Sequence, residues 1–183
     1  MMQPQQSLIF TARLLVTAGP SPVEGSALLC HGDRIVAVDS LAALKKNYPD
    51  VVVKDFGDAV VLPLFVNAHT HLELTDFPRW ADKKGGHLDE HKNFVDWILQ
   101  LIQVKKKLDP DNYCHAVING IEQSIKAGTG VVGDILAHHS ARGAYQSVPL
   151  AGVVFLETLG QDPAMIRRLK KSLHQVLDEP FAA

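Results

Sequence analysis

The sequence predicts an α/β fold in which a small β unit precedes alternating strands and helices. Three observations predict it. Short β-type runs separated by turn signals occupy the first 60 positions. After Pro63, apolar residues recur at helical spacing, and between those stretches lie short continuous apolar runs of the kind found in strands buried on both faces.

Leu8 to Thr17 is the first strand-forming run. Its apolar part, Leu8 to Val16, carries Arg13 and is too short for a signal peptide or a membrane span. Gly19-Pro20-Ser21-Pro22 breaks it, Ala27 to Val38 reads as a hairpin turning at Gly32-Asp33, and Val51 to Phe56 as another strand. Val60, Val61, Leu62, Leu64, Phe65 and Val66 then form an apolar strand punctuated by Pro63. Helical spacing follows in Phe94, Trp97, Ile98, Leu101, Ile102 and Leu108, again from Tyr113 through Val117 and Ile121 to Ile125, and last from Met165 to Val176. Strand runs at Gly130 to Leu136 and Leu150 to Leu156 lie between these helices, so right-handed crossovers and a parallel sheet are expected. The organisation expected is a β domain over 1–62 and an α/β unit over 63–183.

With 46% hydrophobic and 21% charged residues, a formal net charge of −2 and a pI near 6.5, the balance asks for neither nucleic acid nor an anionic membrane as partner. Cys30 and Cys114 form no Cys-x-x-Cys pair, so no disulfide framework is indicated and the expected compartment is the reducing cytoplasm.

The apolar strand at 60–66 runs into Asn67-Ala68-His69-Thr70-His71. Side chains at i and i+2 of a strand share a face, so both imidazoles can aim at one point and hold two positions of a metal such as zinc, with iron as the alternative. Alternating histidines also occur in surface strands and as hydrogen-bonded core residues. The rigid strand, and a strand end open to water, are the context that favours the metal.

The string Leu62-Pro63-Leu64-Phe65-Val66-Asn67-Ala68-His69-Thr70-His71-Leu72-Glu73 resembles the first barrel strand of the amidohydrolase superfamily, in the branch of cytosine, guanine and adenosine-derivative deaminases and triazine chlorohydrolases. Leu64 stands where that family usually has glycine. Ala27 to Val38 resembles the strand, turn and strand that precede the barrel, Ala127 to Asp134 the second barrel strand, and Gly152 to Gly160 the third. The resemblance implies the N-terminal part of a (β/α)8 TIM barrel, about three strand-helix units, preceded by a small β-sandwich-like domain. A complete barrel takes about 250 residues, so the expectation is an N-terminal portion of a longer enzyme, inactive alone, whose further ligands and proton-shuttle residues come from later strands. The implied chemistry is hydrolysis of a non-peptide carbon–nitrogen bond: metal-activated water attacks an electrophilic ring carbon and ammonia departs. The implied substrate is a small nucleobase-like or aminated heterocycle. Cyclic-amide hydrolysis and triazine dechlorination are alternatives on the same scaffold. A non-catalytic fragment that pairs with a missing C-terminal barrel half, or with a second copy, is the reading from a different class.

Glu73, two positions beyond His71, is a candidate to bind a substrate amine or orient a ligand histidine, or else a solvated loop carboxylate. Glu157 ends the third strand run and is a candidate for the rim of the site, with a structural hydrogen bond as the alternative. Trp80 and Phe77 are candidate apolar walls in a mobile loop covering substrate. His87 and His91, spaced i and i+4, follow the polar lead-in Lys83-Lys84-Gly85-Gly86 and are expected in that loop rather than at a metal. Asp134 is expected to form a turn or support the site, His138-His139 to be an exposed loop pair, Trp97 and its neighbours to be helix core, and Lys105-Lys106-Lys107 to be a solvated helix end.

Overall fold

The computed structural model describes residues 6–17, 19, 23–83, 93–158, 160 and 162–178. The chain divides into two compact units, Met1–Pro63 and Leu64–Ala183.

In the first unit, period-two alternation places Ile9 and Thr11 of β1 (Ser7–Thr11) and Ala27 and Leu29 of its antiparallel partner β4 (Ser26–His31) inside. The expected hairpin is β4 with β5 (Arg34–Ser40), His31 paired with Arg34 across Gly32-Asp33. With β6 (Val52–Asp55) parallel to β1, the sheet order is β5-β4-β1-β6. The first apolar run divides: β2 (Leu14–Leu15) leaves this sheet and pairs with β3 (Val23–Glu24) and β7 (Val60–Val61) in a second one. Helix α1 (Leu41–Asn47) was not anticipated. It has two turns and a single buried residue, Leu44, too little periodicity to read from sequence, and it starts where Ser40 Oγ accepts the Ala43 N–H at 3.2 Å.

In the second unit, β8 (Phe65–Thr70), β9 (Thr129–Leu136) and β10 (Ala151–Leu156) form a parallel sheet in the order β10-β9-β8. A 3-10 turn (Leu72–Leu74) and helices α2 (Phe77–Lys83), α3 (Phe94–Lys105) and α4 (Pro110–Lys126) lie between β8 and β9. A second 3-10 segment (His139–Gln146) makes the crossing to β10, and α5 (Pro163–Asp178) follows. Among the described residues, no helix is long and apolar enough to cross a membrane.

The starts of α3 and α4 have local causes. Asn93 Oδ1 accepts the Asp96 N–H at 3.0 Å to begin α3. Pro110 sits in the first turn of α4, where its missing N–H costs nothing, and Asn112 Oδ1 accepts the Asp109 N–H at 3.1 Å. Tyr113, Ala116, Val117 and Ile121, on one face of α4, bury against Leu72, Val132 and Leu136. Full burial of each larger apolar side chain contributes about 1.5–3 kcal/mol. Gly128, at φ +85°, turns the chain from α4 into β9, a conformation that L side chains resist. Gly133 answers a different need: a Cβ there would lie 2.6 Å from the Ala68 carbonyl oxygen, so its lack of a side chain lets β9 approach β8 just before His69.

Two expectations are corrected. The stretch after His71 is helical in α2 rather than a loop, with Phe77 and Trp80 in the core, because their spacing of three presents both on one face. The run at 64–66 is exposed rather than buried on both faces. Val132, Asp134 and Leu136 face the helices, while Val66, Val131, Val153 and Phe155 remain open to solvent. His87 and His91 lie outside the described residues.

Candidate active site

His69 and His71 stand at the C-terminal end of β8, their ring centroids 5.5 Å apart and the rings edge to face. His69 is exposed and His71 half-buried, and both line a cleft of about 710 Å³. The Asn67 carboxamide caps the strand end by accepting the His69 N–H at 3.3 Å. Two imidazoles held side by side on one strand suit two positions of a zinc site, since each can offer a neutral ring nitrogen. Among the described residues no group of three His, Cys, Asp or Glu side chains gathers to complete such a site.

Beneath the cleft lie two buried carboxylates. Glu73, 1% exposed, accepts the His138 N–H at 2.7 Å on one oxygen and the Lys105 ammonium at 2.7 Å on the other. Asp134, fully buried, accepts the Leu72 N–H at 2.8 Å and a very short hydrogen bond from the Tyr145 hydroxyl. Burial holds the Asp134 carboxyl above its ordinary value, against the opposing pull of these two donors and the nearby His71. The Tyr145 phenol is pushed up by burial and by Asp134. Tyr113 stacks on His138 with centroids 3.8 Å apart and lies 5.6 Å from the Lys105 ammonium. Burial, helped by the Glu73 charge, pushes the Tyr113 phenol up to about 12. Burial also lowers the His138 imidazole below its ordinary value, although Glu73 pulls upward.

The expected substrate groups divide. Glu157 borders the cleft, its N–H donating to the Leu136 carbonyl at 2.8 Å and its own carbonyl oxygen 3.1 Å from His139 Nε2. Glu73 reaches the cleft but has both oxygens engaged, so it is neither a solvated loop carboxylate nor a free acceptor. Trp80, expected as a wall, is 5% exposed, sits edge-on to Tyr113 in the core and does not line the cleft. The apolar wall comes instead from Trp97, Ile98 and Leu101 of α3, all half-buried, of which Trp97 and Leu101 also pack against the core.

His138 and His139 are not an exposed pair: the first is half-buried on Tyr113 and the second 8% exposed. Period two through Asp134, Leu136 and His138 was the available signal for the inward placement of His138. Lys105 is paired and only 23% exposed, unlike the solvated helix end expected. Its spacing of four from Leu101, which is itself four from Trp97, puts it on the inward face. Tyr113 carried no sequence signal beyond its place in the apolar stripe.

No family model matches the chain. The chain is 30% identical over 128 residues to a Helicobacter pylori protein named adenosine deaminase, covering 70% of this chain and 29% of that protein. Among solved structures, aminofutalosine deaminase of Helicobacter pylori in complex with methylthio-coformycin superposes with a TM-score of 0.72 at 24% identity, over 96% of this chain and 41% of that one. An adenosine deaminase from Xanthomonas campestris with bound zinc gives 0.62 at 18% identity, over 98% and 42%. The chain thus spans well under half the length of the proteins it matches.

Proposed function

We propose that the chain is a portion of an amidohydrolase-superfamily enzyme and forms the metal-holding part of a hydrolase acting on a non-peptide carbon–nitrogen bond, which deaminates an adenosine-like aminated heterocycle. The observation that carries this reading is the pair of adjacent imidazoles at the C-terminal end of a parallel strand, facing an apolar cleft. Parallel barrels place their chemistry at that end of the strands.

In this reading, residues 1–62 form the β domain and 63–183 the first three strand-helix units of a (β/α)8 barrel. His69 and His71 hold a divalent metal, zinc. When bound, zinc supplies a water acidified enough to act as nucleophile at neutral pH. Trp97, Ile98 and Leu101 present an apolar surface on which a heteroaromatic ring lies out of water, and Glu157 accepts a hydrogen bond from the substrate amine. Glu73 and Trp80 hold the structure rather than the substrate, because one has both oxygens occupied and the other lies in the core. The remaining ligands and the proton-transfer groups belong to barrel strands outside these 183 residues, since the relatives are more than twice as long. Those strands, or a second copy, cover Val131, Val153 and Phe155 and pair with the free edges of the three-stranded sheet. The setting is the reducing cytoplasm, where Cys30 and Cys114 stay as free thiols.

The test is zinc content together with ammonia release from adenosine and its 5′-substituted derivatives, measured on the native protein and on His69→Ala. The variant should lose turnover by at least about 10³-fold while its circular dichroism is unchanged. Retained turnover removes His69 from the metal site. Robust turnover with chelator-resistant zinc by the 183-residue chain alone would overturn the assignment of essential groups to other strands.

A further inference from the structure

The ladder between β8 and β9 is regular at Val66 and Asn67, then shifts before Thr70, across the position of His69. Backbone pairing is therefore irregular where the two imidazoles must be placed. Two carboxylates take over. Asp134, from β9, accepts the N–H of Leu72, the residue after His71. Glu73, from the exit of β8, accepts the N–H of His138, beyond the end of β9. Each strand exit thus gives one carboxylate to the backbone of the other. Both carboxylates are at most 1% exposed, and each has a second donor, the Tyr145 hydroxyl for Asp134 and the Lys105 ammonium for Glu73. Burying two carboxylates is an expensive way to close a sheet, since apolar packing of the same volume generally stabilises as well or better. Charged acceptors do supply direction: each fixes one N–H vector through a short, strong bond.

We propose that Asp134 and Glu73 form a reciprocal clasp between the exits of β8 and β9 that sets the position of His71, which makes both of them positioning residues for the imidazole pair. The inference rests on the metal-holding role proposed above for its consequence, though not for its geometry. Second-shell acceptors of this kind orient ligand side chains, and their loss typically weakens metal binding 10–100-fold.

The experiment compares the isotopically labelled 183-residue chain with its Asp134→Ala, Asp134→Asn and Tyr145→Phe variants. Nuclear magnetic resonance reads Leu72 amide exchange and the His71 ring resonances, and thermal unfolding is followed alongside. Asp134→Ala should speed Leu72 exchange at least tenfold and move the His71 ring signals. Asp134→Asn, which keeps a carbonyl acceptor for Leu72 and an amide facing the Tyr145 oxygen, should restore both toward wild type. If Asp134→Ala lowers the melting temperature but leaves His71 unmoved, the clasp is structural only and the proposal falls. Should Asp134→Ala fail to fold, Tyr145→Phe decides: it removes one hydroxyl and should shift His71 in part, and an unshifted ring overturns the proposal. A cobalt(II) titration separates the two readings. Cobalt that binds wild type but not His71→Ala should bind Asp134→Ala at least tenfold more weakly. Cobalt that leaves His69 and His71 unperturbed in wild type bears on the metal role alone, which in the reading above needs the ligands of further strands and is decided by His69→Ala turnover, and the ring resonances still decide the clasp.

Discussion

Replacing Lys105 by methionine isolates the ion pair beneath the cleft. Lys105 Nζ lies 2.7 Å from Glu73 Oε1, with the carboxylate side chain 1% exposed and the lysine 23%. Breaking a fully buried pair by removing one partner costs about 3–5 kcal/mol, because a charge is left without compensation. Two features reduce that figure here. The partly exposed lysine site admits water, and the His138 N–H still donates to Glu73. Lys105→Met should therefore destabilise by about 2–3 kcal/mol, within the range of one charged hydrogen bond plus residual desolvation. Glu73→Gln should cost less, about 1 kcal/mol, since the amide oxygen still accepts from His138 and the freed ammonium can turn to water. The double variant should lose less than the sum of the two, by about 1–2 kcal/mol of coupling. Urea unfolding followed by tryptophan fluorescence is the assay. Both tryptophans, Trp80 and Trp97, lie in the second unit, so the signal reports the unit that contains the pair. A Lys105→Met midpoint within about 0.5 kcal/mol of wild type, or strict additivity in the cycle, would refute the reasoning.

Other outcomes follow from the same geometry. His138 titrates below its ordinary value in the folded chain, so the stability it contributes is fully present above pH 6.5 and is lost as pH falls through the lowered folded-state value. His138→Phe keeps a ring on Tyr113 but cannot titrate, so the wild-type advantage in melting temperature should shrink between pH 7.5 and 5, and a constant difference would contradict the assignment. Gly133→Ala brings a methyl group to 2.6 Å from the Ala68 carbonyl oxygen and should destabilise by about 1–3 kcal/mol in urea unfolding; a neutral result would mean that β8 yields at that point.

What could be read from the sequence was what depends on near neighbours along the chain. The face of α4 from Tyr113 to Ile121, the strand from Thr129 to Leu136 and the convergence of His69 with His71 follow from periods of 3.6 and 2.0, which are properties of a single element. The resemblance carried by the stretch from Leu62 to Glu73 named the fold that the solved structures share. The charged floor of the cleft was decided by tertiary structure. Glu73 meets Lys105 and His138 at separations of 32 and 65 residues, and Leu72 meets Asp134 at 62. No local periodicity encodes such meetings, because they arise only when parallel strands joined by long helical crossovers bring their exits side by side. The same packing drew Trp80 into the core and left Trp97 at the cleft, since α2 and α3 present different faces once both are docked. Sequence identifies which side chains have the chemistry to ligate, accept or stack. Which of them are already engaged depends on burial, because an unpaired polar group out of water is too costly to persist.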